Sequence, residues 1–159
     1  MTENKTACFT GHRIIARGEV SMLKAKLVGA IDSLVNQGYR TYISGGALGW
    51  DMLAAAAVLE LKDRYPDISL IMMLPCYDQE KGWSERDKAV YKNILAKADE
   101  LIYVSMTYSN DCMKKRNMQM IKMSDFCIAY VKHQRSGASQ TMRLAKEKGI
   151  GIINLSQDT

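Results

Sequence analysis

An α/β fold of three layers is predicted for this chain: a mainly parallel sheet of about six strands with helices on both faces. Three features of the 159 residues predict it. Short apolar segments alternate with longer segments of helical spacing. The apolar segments are hydrophobic throughout rather than at every second residue, which marks strands buried on both faces. Enough chain separates successive strands for a helical crossover, so each strand returns parallel to the one before.

The elements follow in order. Thr6–Thr10 is the first strand candidate, and a helix is expected over about 19–37. There Val20, Leu23, Leu27, Ile31 and Leu34 recur at three and four residues and make one apolar stripe. Thr41–Ser44 is the second strand, followed by a helix over about 48–63 whose run LAAAAVLELK is rich in strong helix formers. Pro66 ends that helix, Ile68–Leu74 is the third strand, and Pro75 stops it. A helix over 84–98 leads to the strand Glu100–Val104, a helix over 110–124 to Phe126–Val131, and a helix over 138–148 to Ile150–Asn154. The expected strand order is 3-2-1-4-5-6, with the reversal between the first and fourth strands.

Right-handed crossovers place all strand C-termini on one edge of such a sheet, and open α/β sheets bind ligands there. Five segments should meet on it: GHR (11–13), GGALGWD (45–51), PCYDQEKGW (75–83), SMTYSND (105–111) and KHQRSGAS (132–139). The GHR and SMTYSND segments would flank the reversal. In SGGALGWD, glycines at a strand-to-helix turn let backbone N–H groups approach a phosphate, and the helix start adds unpaired donors. Ser44, Gly45, Gly46 and Gly49 are the candidate residues, and a plain βα turn reads equally well from spacing alone. Asp51 suits a first-turn dipole partner or a contact to a ribose hydroxyl. The segment is neither a P-loop nor a G-x-G-x-x-G fingerprint.

In FTGHR, Thr10 and Gly11 end the strand, while His12 and Arg13 supply donors. His12 is also a candidate general base, with Asp51 and Asp78 as the other candidates for acid–base work. Gln79 can read a base edge and Trp83 can stack on a base; a packed loop is the alternative. In the fourth helix Met113, Met120 and Ile121 share a face, Asn117 lies between them, and Arg116 lies near the edge of that stripe. A structural role suits Asn117, because an unpaired buried amide costs roughly 1–3 kcal/mol. Ser136 and Gly137 open the last helix and can cap it or receive a phosphate.

Composition restricts the function classes. A hydrophobic fraction of 47% fits a single domain over 1–159 with a sizeable core. The net charge of +5 permits an anionic ligand but is spread without a long basic run. The eight tyrosines, two phenylalanines and two tryptophans do not interleave with basic residues, so nucleic acid is not an expected partner. No stretch reaches membrane-span length. Four separated cysteines without a C-x-x-C pair indicate a cytoplasmic protein and no metal site.

Taken together, CFTGHR, SGGALGWDMLAA, P…DQ…W, RNMQM…SD…IAY and SGASQT…A…G resemble the YpsA-like branch of the SLOG superfamily. These are Rossmann-like domains related to lysine decarboxylase-like phosphoribohydrolases and to the core of the DNA-processing protein DprA. The resemblance spans about residues 6–154. It implies one Rossmann-like SLOG domain that binds a nucleotide or nucleotide-derived molecule, ADP-ribose-like or NAD-like, at the strand edge. The implied ligand residues are Thr10, Gly11, His12, Arg13, Ser44, Gly45, Gly46, Gly49 and Asp51, with Ser136 and Gly137. It also implies self-association into a homo-oligomer. The phosphoribohydrolase branch carries PGGxGTxxE, whose glutamate serves the chemistry. Here the matching RSGASQTMRLAKE has no acid before Glu147. The expectation is therefore a sensor or sequestering module rather than an enzyme, with no certain cofactor. A hydrolase of N-glycosidic bonds is the alternative, and single-stranded DNA binding the least favoured.

Overall fold

The computed structural model describes residues 4–156. Six strands form one sheet in which every pair is parallel: β1 (Lys5–Gly11), β2 (Tyr39–Ser44), β3 (Ser69–Leu74), β4 (Glu100–Tyr103), β5 (Phe126–Tyr130) and β6 (Gly151–Asn154). Five helices connect them: α1 (Val20–Asn36), α2 (Trp50–Leu61), α3 (Glu85–Lys97), α4 (Cys112–Met123) and α5 (Gly137–Lys148). The layered α/β arrangement is the expected one.

Strand residues alternate between two cores. Ala7 and Phe9 of β1, Tyr42 of β2, Leu70, Met72 and Leu74 of β3 and Ile128 of β5 face α1, α2 and α3. Cys8, Ile43, Ile71, Met73, Cys127 and Ala129 face α4 and α5. The predicted stripe of α1 packs as expected, with Leu23, Leu27, Ile31 and Leu34 buried, while Val20 stays outside. In α2 the buried Ala54, Ala55 and Ala57 let the helix lie close to the sheet. Burial of a side chain such as Ile31 contributes about 1.5–3 kcal/mol each.

The strand order is β4-β3-β2-β1-β5-β6. This is the expected type, running outward from β1 and then reversing. The fourth strand, however, extends the first wing, and β5 rather than β4 lies beside β1. The physical reason is burial. β4 is four residues long and begins with the exposed Glu100 and Leu101, which suits an edge. β5 is buried from Cys127 to Tyr130 and needs a neighbour on each side. The reversal is therefore flanked by the segments after β1 and β5, GHR and KHQRSGAS, and SMTYSND lies at the far edge.

Candidate functional site

At that reversal a cavity of about 350 Å³ opens on the C-terminal edge of the sheet. Thr10, Gly11, His12 and Arg13 supply it from the end of β1, and Ala47 and Asp51 from the β2–α2 turn. Met113, Arg116 and Asn117 come from α4, and Ser136 and Gly137 from the start of α5.

Arg116 dominates its chemistry. The residue is 4% exposed, yet among the described residues its guanidinium forms no ion pair. Its Nε donates to Asn117 Oδ1 at 2.7 Å and its Nη1 to the Gly45 carbonyl. Nη2 meets only the Met113 sulfur, at 3.9 Å. Burial pulls the guanidinium below its ordinary range, and the nearby Asp51 pulls it back up. The second arginine, Arg13, is exposed at the mouth, and its Nη2 meets the same sulfur at 3.8 Å.

Among the described residues, Asp51 is the one acid lining the cavity. Burial pushes its carboxyl up to about 6, opposed by the Arg116 charge, the Ala47 N–H and Arg13. Its Oδ2 accepts from the Ala47 N–H at 3.2 Å. The carboxylate thus satisfies the turn before its own helix and stands beside the arginines.

His12 closes the seam between β1 and β5. Its Nε2 accepts from the Lys132 N–H at 2.7 Å and the His133 N–H at 3.3 Å. The neutral ring therefore carries its proton on Nδ1. Burial lowers its pKa first, then the charges of His133 and Lys132. A nitrogen so engaged is not free to take a substrate proton; the ring anchors the loop that carries Ser136. Ser136 itself is a cap: its Oγ accepts from the Ser139 N–H at 3.0 Å, and Ser139 Oγ accepts from the Ser136 N–H at 3.1 Å. Gly137 and Ala138 border the cavity beyond that cap.

The glycine-rich turn stands behind this surface. Ser44, Gly45, Gly46 and Gly49 do not line the cavity. Ser44 Oγ donates to the Asp51 carbonyl at 2.8 Å and accepts from the Gly46 N–H at 3.2 Å. A Cβ on Gly45 would overlap the Arg116 guanidinium. Gly49 has φ +79° and packs on the Arg13 carbonyl, which leaves no room for a side chain. The glycines make room for neighbouring protein groups, and so place Arg116 and Asp51. Gln79 and Trp83 stand outside the cavity. They border a cleft of about 30 Å³ beside Arg13, and Trp83 packs edge-on against Tyr91 at 5.0 Å. Asp78 is exposed and lines neither. Arg116 is the residue sequence reasoning undervalued. Its signal was its place three residues after Met113 and four before Met120, which puts a charge on a buried face. No group of three or more metal-ligating side chains exists among the described residues, and no described helix is long and apolar enough to cross a membrane.

Comparison with known proteins gives one family. The family model described as "YspA SLOG family" (YpsA) matches residues 15–149. The SPbeta prophage-derived protein YoqJ of Bacillus subtilis is 35% identical over 143 residues, covering 81% of this chain and 83% of that one. A UPF0398 protein of Bacillus pumilus is 31% identical over 122 residues, covering 76% and 66%. Among solved structures, DprA of Streptococcus pneumoniae superposes with TM-score 0.70 at 17% identity over 94% of this chain, which spans 49% of that protein. DprA of Helicobacter pylori gives TM-score 0.67 at 21% identity, over 93% of this chain and 63% of that one, and its structure is described for its single-stranded DNA binding mode. That likeness corrects the expected partner set, which left nucleic acid out: a structural neighbour binds single-stranded DNA. On the family match and the identity with YoqJ, the chain belongs to the YpsA family of SLOG proteins.

Proposed function

We propose that the protein binds the phosphate of a nucleotide unit in the edge cavity, as one Rossmann-like SLOG domain. The observation that carries this is Arg116, a buried guanidinium that lines the cavity and forms no ion pair among the described residues. A buried charge without an ion pair is costly, and an incoming phosphate supplies an anionic acceptor for Nη2, which otherwise meets only a sulfur. Arg13 adds a second cation at the mouth. Gly137 and Ala138 add the open start of a helix, and the size suits a mononucleotide-scale group. The nucleotide unit has two sources: an ADP-ribose-like or NAD-like molecule, or the end of a single strand of DNA. The four buried free thiols support a reducing, cytoplasmic setting.

Calorimetric titration of AMP, ADP-ribose, NAD and a 5′-phosphorylated oligodeoxynucleotide into wild type and Arg116→Met tests the reading. Binding of at least one by wild type, lost in a folded variant, is the expected result. No binding of any of them refutes it. The preferred titrant identifies the source.

A second reading, hydrolysis of an N-glycosidic bond, has one observation in its favour. Asp51 lines the same cavity, and a carboxyl raised to about 6 suits general acid–base work. Release of free base from a nucleoside 5′-monophosphate, abolished by Asp51→Asn, is its test; a flat time course with substrate bound excludes it.

A further inference from the structure

We infer that the site is bipartite and takes a ligand with two separated anionic groups, the second held by Lys114 and Arg143. This rests on the phosphate reading above and extends it.

A second cleft, of about 270 Å³, opens between α4 and α5. Asn117 and Gly137 line both it and the main cavity, so the two spaces meet there. Apart from its own stretch of chain, no atom stands within 4 Å of the point where a Gly137 side chain would begin, so the junction is open. Two cations line the cleft, Lys114 on the first turn of α4 and Arg143 on α5. Neither forms an ion pair among the described residues. Arg143 has one hydrogen bond, to the Gln134 carbonyl at 3.4 Å.

Asn117 joins the two halves. Its Oδ1 is taken by Arg116 Nε, which orients the amide. Its Nδ2 has no protein acceptor among the described residues, so two N–H donors remain at the junction. The polar asparagine on an apolar stripe thus serves the site as well as the helix.

The cleft also has a limit. Gly137 to Glu147 is ten residues of helix, roughly 15 Å. Glu147 lines the cleft one turn beyond Arg143, so an anion is held between Lys114 and Arg143 on the side toward Gly137. Two cation pairs joined by amide donors fit two phosphates set apart by a sugar. A nucleoside 3′,5′-bisphosphate carries them, and so do successive phosphates of a single strand. The adjoining phosphates of a diphosphate would crowd into one half.

Calorimetric titration at one ionic strength tests this with three probes: AMP, adenosine 3′,5′-bisphosphate and a 5′-phosphorylated dinucleotide. Wild type should bind one of the two probes that carry two phosphate groups at least tenfold more tightly than AMP. The double variant Lys114→Gln/Arg143→Gln should lose that gain and keep its AMP affinity. Both residues are exposed, so the variant keeps the fold. Equal affinities for all three probes, or a gain that survives the double substitution, overturn the inference while leaving the phosphate site intact. Failure of every probe to bind overturns both readings together.

Discussion

The guanidinium groups of Arg13 and Arg116 converge on one atom, the sulfur of Met113, at 3.8 and 3.9 Å. Two like charges held this close oppose each other, and Arg13 contributes to pulling Arg116 below its ordinary range. An anion between them relieves that opposition. Arg13→Ala should therefore weaken AMP binding by about 10- to 100-fold, the equivalent of one charged hydrogen-bond pair. Stability should change by no more than about 0.5 kcal/mol, because the residue is exposed. Titration calorimetry and urea denaturation of the same preparations check both halves.

Asp51 gives a pH signature of the fold. Its carboxyl is raised from 3.8 to about 6, so the folded state holds a proton that the unfolded chain releases. Stability is then favoured below pH 4 and is lost as pH rises from about 4 to 6. Asp51→Asn keeps an acceptor for the Ala47 N–H and removes the buried charge. The variant should be more stable than wild type at pH 7.5, by up to ~3 kcal/mol. The difference should vanish near pH 4. Denaturant midpoints at the two pH values measure it.

His12 gives the opposite dependence. Its pKa is depressed in the folded state, so the anchoring bonds from Lys132 and His133 are complete above pH 6.5 and weaken as pH falls. Protonation of Nε2 turns an acceptor into a donor facing two N–H groups. Amide exchange at Lys132 and His133, corrected for intrinsic rate, should accelerate on acidification below pH 6.5. In His12→Ala it should be fast throughout.

Two glycines should separate fold from site. Gly49→Ala places a methyl against the Arg13 carbonyl at φ +79° and should cost more than about 2 kcal/mol. Gly137→Ala meets nothing and starts a helix, so its effect should stay within about 1 kcal/mol. Thermal melts of the two variants provide the comparison.

Much of this architecture was readable from the chain. Through-apolar segments such as FCIAY and spacing such as Leu23–Leu27–Ile31 mark parallel strands and packed helices on their own. Neighbour order was less readable, because it depends on which strand tolerates an exposed edge; the opening Glu100-Leu101 of β4 was the relevant hint. At the site, Thr10 to Arg13, Ser136 and Gly137 follow from being next to strand ends. Gly45 and Gly46 were less legible, because glycine spacing looks the same whether the space serves a ligand or a neighbouring side chain. A side chain at Gly46 would enter among Leu74, Met72 and Tyr91 and disturb the core. Arg116 was obscured because burial of a charge depends on the carbonyl of Gly45, 71 residues away.

The bond between His12 and Lys132 spans 120 residues. The β1 and α5 walls of the cavity are thus far apart in sequence. Neither wall has its other half until the sheet has closed around β1, and long-range pairing of that kind is slow to form. During synthesis, a chain that has emerged only through β4 lacks the α5 wall. A ligand bound as proposed would therefore report that these two walls have met, and by mass action it would protect only chains in which they have.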